Sequence, residues 1–261
     1  MSERVTPSPS QVAITIARRE IAIAGKRRFV KLLFLGSLVP PLVMAVLLVV
    51  RTMVQGAGLN LDWDPLVQFL TIQVTPVLFL ALAVGTPSVA RDRSEEVLFL
   101  YATRPVTPWS YTLGKMIAVA VPTAGLLILP GFLIAVLRLG LLPDVDLLAS
   151  LDLFARVTLV ALLMAGAYSG LCVGASAAVK KARWALLLAV AVLILPRMSA
   201  SLLWRRSPYA LDAESAVRDL VEALFQGPWD GHGFTAIAVL LAWTALGAFV
   251  TATRVRQEMT P

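Results

Sequence analysis

The order of apolar and polar residues divides this chain into long apolar runs separated by short charged segments. An α-helix needs about 20 apolar residues to cross the hydrocarbon core of a bilayer. The runs are continuous and do not alternate with polar residues, so they predict helices and not the strands of a barrel. The sequence therefore predicts an all-α polytopic membrane protein with one transmembrane domain over 32–253. The six predicted spans cover roughly 32–50, 66–90, 116–138, 156–179, 184–204 and 234–253.

Less apolar segments lie before and after this domain. Residues 1–10 predict a disordered lead-in, residues 11–31 a basic elbow or interfacial helix, and residues 254–261 a short tail. Within 11–31 the isoleucines fall on two nearly opposite stripes. A helix buried against protein on two sides is therefore the alternative to a helix lying in the membrane interface.

A second amphipathic segment lies between the last two predicted spans, over 205–233. Its apolar residues recur at helical spacing, Asp212 is a suitable N-cap, and Gly227-Pro228 is a strong stop signal. We expect an outer helix at the membrane interface. Just before it, Arg197 follows Pro196 within the fifth span. Arg197 is either a snorkelling side chain or a contact in a substrate pathway or interface.

The fourth span carries Gly166, Gly170 and Gly174 at four-residue spacing. Residues four apart share one helix face, and small residues on one face allow close packing of membrane helices. The stripe predicts a helix contact, either within the subunit, which we favour, or across a dimer.

Composition and charge agree with a membrane protein and predict its orientation. The chain is 58% hydrophobic and 15% charged, with a mean hydropathy of +0.81, whereas soluble domains are about 45–50% apolar and 25% charged. With six spans, 16 of the 23 Lys and Arg residues lie on the side of both termini. The positive-inside rule then predicts cytoplasmic termini. The net charge of +7 is explained by topology and by anionic headgroups, without a nucleic-acid partner.

The residue inventory argues against chemistry within the chain. There is one cysteine, Cys172, in an apolar run, and one histidine, His232, in a predicted outer loop. No GxxxxGK[ST] phosphate loop occurs, and the centres of the spans contain no ionisable residue. We therefore expect no catalytic residue, no metal site and no cofactor in this chain. The uncharged spans mildly favour an amphipathic or lipid-like cargo.

The most informative segment is the charged insert 91–115, RDRSEEVLFLYATRPVTPWSYTLGK. Ser94 is a candidate N-cap, with Glu95 and Glu96 in the first helical turn, and Arg104-Pro105 would end the helix. Thr107-Pro108 is a cap followed by proline, which predicts the start of the next helix. The insert is either a docking helix or a plain membrane-surface connector.

At this insert the chain resembles the membrane subunits of ATP-binding-cassette (ABC) transporters, the type-2 exporter permeases. Their usual Gly-Thr is replaced here by Glu96-Val97, and Ile16-Ala17-Arg18-Arg19-Glu20 is similar to the start of their elbow helix. The matching residues of the insert are, in order, Arg91-Asp92-Arg93, Leu98, Leu100, Thr103-Arg104-Pro105-Val106-Thr107, Trp109 and Gly114-Lys115.

The resemblance implies a permease subunit of an exporter in the bacterial inner membrane. It would pair with a second permease subunit, identical or related, and with separate ATPase subunits that bind ATP and Mg. It also allows an accessory or periplasmic protein. Glu95 and Glu96 would offer charge to a groove on the ATPase, which Leu98, Leu100 and Tyr101 would fill. The remaining residues of this coupling set are Arg91, Asp92, Arg93, Arg104 and Pro105.

Two other functions stay open. The chain could be a membrane scaffold or assembly factor that transports nothing and uses the insert for docking. An ion-coupled secondary transporter is the other alternative, disfavoured by the uncharged span centres.

Overall fold

The computed structural model describes residues 8–56, 63–102, 106–140, 147–203, 211–227, 229 and 231–259, and the regular structure within them is α-helical. This confirms the predicted all-α class. The helices are α1 (Pro9–Lys26), α2 (Arg28–Gly36), α3 (Val39–Gly56), α4 (Pro65–Gly85), α5 (Ser88–Ser94), α6 (Val97–Ala102), α7 (Pro108–Gly140), α8 (Leu147–Ala178), α9 (Ala182–Leu203), α10 (Ala213–Phe225) and α11 (Gly231–Met259).

Five stretches among the described residues are long and apolar enough to cross a membrane. They are Arg28–Val54, Pro65–Ser94, Pro108–Gly140, Leu147–Ala178 and Gly231–Met259. The chain is therefore compatible with a multi-pass membrane protein. The predicted fifth span, 184–204, corresponds to α9, which is not among the five. A sixth crossing remains a prediction.

Two predicted helix starts are confirmed by hydrogen bonds. The Ser110 N–H donates to Thr107 Oγ1 over 3.1 Å, and α7 begins at Pro108 as predicted. The Ser215 N–H donates to Asp212 Oδ1 over 2.8 Å at the start of α10. These caps satisfy N–H groups that have no partner within the helix. They involve neighbours in sequence, which is why the sequence alone predicts them.

The first candidate span is broken at Ser37-Leu38, between α2 and α3. In an unbroken helix the Ser37 carbonyl would accept from the N–H of residue 41, but Pro41 has none. The buried Gln73 of α4 supplies the missing donor, with its Nε2 2.9 Å from the Ser37 oxygen. A proline effect on one helix is thus compensated by a side chain from another, as expected where water is excluded.

The core lies around α8, which packs against α7, α9 and α11. α1 packs along α7 through Ala13, Ile16 and Ala17, while Ile14 on the other face is 48% exposed. The helix is therefore buried on one face, and the two-sided burial left open by the sequence is not observed. α10 buries its apolar face against α4, α8 and α11.

Candidate functional site

The charged insert forms two short helices joined by a tight turn. α5 ends at Ser94, Glu95 and Glu96 form the turn, and α6 begins at Val97. The predicted helix start at Ser94 is wrong, because Ser94 is the last residue of α5 and its Oγ donates to the Arg91 carbonyl over 2.8 Å. The polar residues 91–94 thus extend the helical path of the second span beyond a short break at Thr86-Pro87.

Glu96 is the residue that separates α5 from α6. Its φ of 55° lies in the left-handed region, and no other non-glycine residue described here has a positive φ. Glycine adopts this conformation without steric cost, whereas other L-residues are disfavoured there. In the resemblance to permeases drawn from the sequence, Glu96 stands where glycine is expected.

Behind this turn lies a buried group of charged side chains from three helices, which we call the ion cluster: Glu20, Asp92 and Lys115. Lys115 Nζ is 2.6 Å from Asp92 Oδ2 and 2.9 Å from Glu20 Oε1. The Ser88 carbonyl accepts a third contact from Lys115 at 3.0 Å. The cluster joins α1, α5 and α7 at one point.

Burial makes the ion cluster energetically important. The Lys115 side chain is 1% exposed, that of Asp92 7% and that of Glu20 13%. A second donor, Tyr111 Oη, reaches Asp92 Oδ2 over 2.7 Å. An ammonium removed from water is tolerated when acceptors surround it, and removing one partner leaves an uncompensated buried charge.

The other end of α5 is fixed by a single hydroxyl group. Ser176 Oγ of α8 accepts from the N–H groups of Val89 and Ala90, at 3.0 and 2.9 Å, and donates to the Thr86 carbonyl. This serine is fully buried. It acts as a cap supplied from another helix, since α5 has no side-chain cap of its own.

α5 is also tied to the end of α11. Arg93 Nε donates to Glu258 Oε1 over 2.7 Å, and Arg93 Nη1 donates to the Ala177 carbonyl over 2.6 Å. Only 10% of the Arg93 side chain is exposed. Through these bonds α5 is joined to α8 and α11, in addition to α1 and α7.

The structure divides the predicted coupling residues into two groups. Arg91, Glu95 and Glu96 have accessible side chains, and Arg91 lies 3.9 Å from both Glu20 and Glu95. The side chains that point inward are Asp92, Arg93 and Leu98, and Tyr101 is half-buried against Tyr111. The side chain of Leu100 and the residues Arg104 and Pro105 lie outside the described part of the chain.

Leu98 differs most from its expected role. It was expected to fill a groove on a partner, but it is 3% exposed and belongs to the core of this chain. In this conformation the accessible part of the insert is therefore its acidic turn.

The glycine stripe of α8 makes its contact within the subunit, as favoured from the sequence. A Cβ atom on Gly170 would lie 2.7 Å from the Trp243 carbonyl oxygen, and one on Gly166 would lie 3.1 Å from Thr244 Oγ1. Gly174 faces Gly247 of α11 at a similarly short distance. The small residues thus allow α8 and α11 to approach closely.

Arg197 lies exposed on α9, where its Nη1 is 3.3 Å from Glu214 of α10. Glu214 also accepts from Arg218 at 2.7 Å. An ion pair between α9 and α10 was not among the roles considered for Arg197 from the sequence.

Sequence reasoning missed the ion cluster and the Ser176 cap. Glu20, Asp92 and Lys115 all belong to the quoted motifs, but nothing local indicates that they meet. Glu20 and Lys115 are 95 positions apart. An available signal was that Asp92 and Lys115 lie next to long apolar runs, where a buried charge needs a partner.

Two further observations bear on function. Within the described ranges, no group of three or more His, Cys, Asp or Glu residues could hold a metal ion. No family model matches the sequence, and no curated protein matches it at a significant level. The functional argument therefore rests on the residues and their contacts.

Proposed function

We propose that this chain is the permease subunit of an ATP-driven exporter of the ABC type, and that the turn at Glu95-Glu96 receives the motion of a separate ATPase subunit. The proposal rests on the motif of the insert 91–115 together with one observation. The accessible acidic turn follows directly on α5, whose hydrogen bonds and ion pairs reach α7, α8 and α11, and α1 through Lys115.

This arrangement suits the transmission of force. A load applied at the turn reaches α5, and the ion cluster passes it to α1 and α7. Ser176 and Arg93 pass it to α8 and α11. Packed helices and buried ion pairs move as units, so a small displacement at the turn would reorient whole helices.

In the proposed assembly two permease subunits, identical or related, form the pathway, and ATP and Mg are bound by the ATPase subunits alone. The chain would cross the bacterial inner membrane six times, with α9 as the fifth span and both termini in the cytoplasm. α1 would be the elbow helix and α5–α6 the coupling segment. The basic residues near the termini support this orientation.

The charge of the turn defines the partner surface. Glu95 and Glu96 are exposed, and the Arg91–Glu95 contact at 3.9 Å is long for an ion pair. The turn therefore presents negative charge, which fits a groove lined with Lys or Arg on the ATPase.

The test is a pull-down of the tagged full-length chain from membranes of its own host. We expect a phosphate-loop ATPase to co-purify, together with ATP hydrolysis. The Glu95→Lys/Glu96→Lys variant should lose both. The matched control, Asp152→Lys/Glu222→Lys, makes the same charge change at exposed positions at the other end of the bundle and should lose neither.

The alternatives give different outcomes. A scaffold would retain a partner that lacks ATPase activity, and an ion-coupled transporter would move cargo with no ATPase bound. An ATPase that stays bound and fully stimulated in the Glu95→Lys/Glu96→Lys variant would refute the role of the turn.

A further inference from the structure

The break between α1 and α2 borders an apolar groove with basic residues at its mouth. The groove encloses about 310 Å³ and lies between these helices and the neighbouring parts of α4 and α7. Six apolar residues that line it are Ile21, Val30, Phe34, Leu80, Val84 and Pro122. Gly25 and Lys31 also line it, and Lys31 is its one charged lining residue among the described part of the chain.

The segment that joins α1 to α2 beside the groove is strongly basic. Lys26, Arg27, Arg28 and Lys31 lie within six consecutive residues. Arg27 is used internally, since its Nη1 donates to the Ala83 carbonyl over 3.3 Å and holds the break against α4. The other three side chains are exposed, and no described acidic group forms an ion pair with them.

The nearest acidic residue of α1, Glu20, already forms an ion pair. Glu20 lies six residues before Lys26 and accepts from Lys115 in the ion cluster. The three exposed bases are therefore available to bind an anionic group from outside the chain. An apolar void likewise needs an occupant, because atoms lining an empty groove lose their dispersion contacts.

We propose that this groove is a binding site for one anionic phospholipid of the surrounding bilayer. An acyl chain lies between α2, α4 and α7, and the phosphate-bearing headgroup contacts Lys26, Arg28 and Lys31. Apolar burial and electrostatic attraction together hold a lipid more firmly than either does alone. The site is independent of the proposed transport function, and its position at the α1–α2 break would let the lipid fix the angle of α1 to the bundle.

The test measures equilibrium binding of fluorescent phosphatidylglycerol and of phosphatidylcholine with the same acyl chains to the detergent-solubilised full-length chain. We expect Lys26→Gln/Arg28→Gln/Lys31→Gln to weaken phosphatidylglycerol binding on the order of a hundredfold, given the usual contribution of each basic residue near anionic lipid. Binding of phosphatidylcholine should be unchanged.

A matched control removes three other basic residues from the same end of the bundle. Lys180 and Lys181 lie between α8 and α9, and Arg183 lies at the start of α9. All three are exposed, and none of them lines the groove. Their triple change to Gln should leave the phosphatidylglycerol affinity within about twofold. An equal loss in both variants would overturn the proposal, because it would show attraction to surface charge in general.

A second variant tests the groove without altering charge. A Cβ on Gly25 would meet no atom within 4 Å, so Gly25→Leu fits the fold and fills the groove. It should weaken binding of both lipids about tenfold or more. Gly140→Leu, equally open but far from the groove, should not. Folding of the variant is checked by its elution volume in size-exclusion chromatography and by its helix content. If Gly25→Leu is folded and its lipid binding is unchanged, no acyl chain occupies this site.

Discussion

The ammonium group of Lys115 lies 2.6 Å from a carboxylate oxygen of Asp92, and both side chains are withdrawn from water. Asp92 lies three residues before the accessible turn at Glu95-Glu96, whereas Lys115 lies within the buried first part of α7. Their contact therefore connects the surface of the insert with the interior of the bundle. The strength of this contact decides whether the insert can move separately from the rest of the bundle.

We expect Asp92→Asn and Lys115→Met each to lower the free energy of unfolding by about 3–5 kcal/mol, because each leaves a buried charge without its main partner. The double variant should recover part of this loss. Urea unfolding of the purified chain in detergent, run as a double-mutant cycle, gives the coupling energy.

The Glu214–Arg218 pair is the control for this cycle. Its separation is nearly the same, 2.7 Å, but half of the Arg218 side chain is exposed. An exposed pair on one helix contributes only about 0.3–0.5 kcal/mol. A coupling energy for Asp92 and Lys115 as small as that of the control would show that the ion cluster does not hold the insert to the bundle.

The sequence predicted what depends on neighbours along the chain. The caps at Thr107 and Asp212, and the apolar length of five candidate spans, follow from local chemistry. The helix predicted to start at Ser94 was wrong, because Ser94 and Glu95 are residue types that favour a helix start, whereas the left-handed conformation of Glu96 that separates α5 from α6 is not indicated by its residue type. Contacts between distant segments, such as that of Glu20 with Lys115, produce no periodic pattern in the sequence. They are visible only in the three-dimensional structure.

The left-handed turn at Glu96 gives a second prediction. Glu96→Gly should stabilise the α5–α6 turn by about 0.5–1 kcal/mol, since glycine adopts a φ of 55° without the Cβ penalty. Hydrogen exchange of amides 88–102 in the isolated chain should slow accordingly. Glu95→Gly is the control: its φ is −94°, so glycine there should speed exchange. Faster exchange in both variants would mean that the Glu96 side chain itself stabilises the turn.

The contact between α8 and α11 gives a third prediction. Gly170→Leu would force a side chain against the Trp243 carbonyl, 2.7 Å from the position of its Cβ. Overpacking of this kind costs about 1–3 kcal/mol or more, so the thermal midpoint of the purified chain should fall by several degrees. Gly125→Leu lies in an open part of α7 and should leave it nearly unchanged. Equal midpoints for the two variants would show that α8 and α11 do not need this close approach.

The number of crossings depends on α9 and gives the last prediction. α9 carries exposed apolar residues along its length, among them Leu187 and Leu195, and joins α8 to the segment before α10. Exposed apolar side chains on a helix of 22 residues are stable when lipid surrounds them. If α9 crosses the bilayer, Lys181 and Leu211 lie on opposite sides.

The side of the membrane on which each residue lies is measured by cysteine labelling. Single cysteines are introduced in a Cys172→Ala background, and intact cells are treated with a membrane-impermeant maleimide. Leu211→Cys and Asp152→Cys should be labelled at once, whereas Lys181→Cys and Arg254→Cys should react only after permeabilisation. All four positions are exposed in the structure, so a difference in labelling reports the side of the membrane. If Lys181→Cys and Leu211→Cys are labelled from the same side, α9 lies along the membrane surface, and the chain crosses five times with its termini on opposite sides.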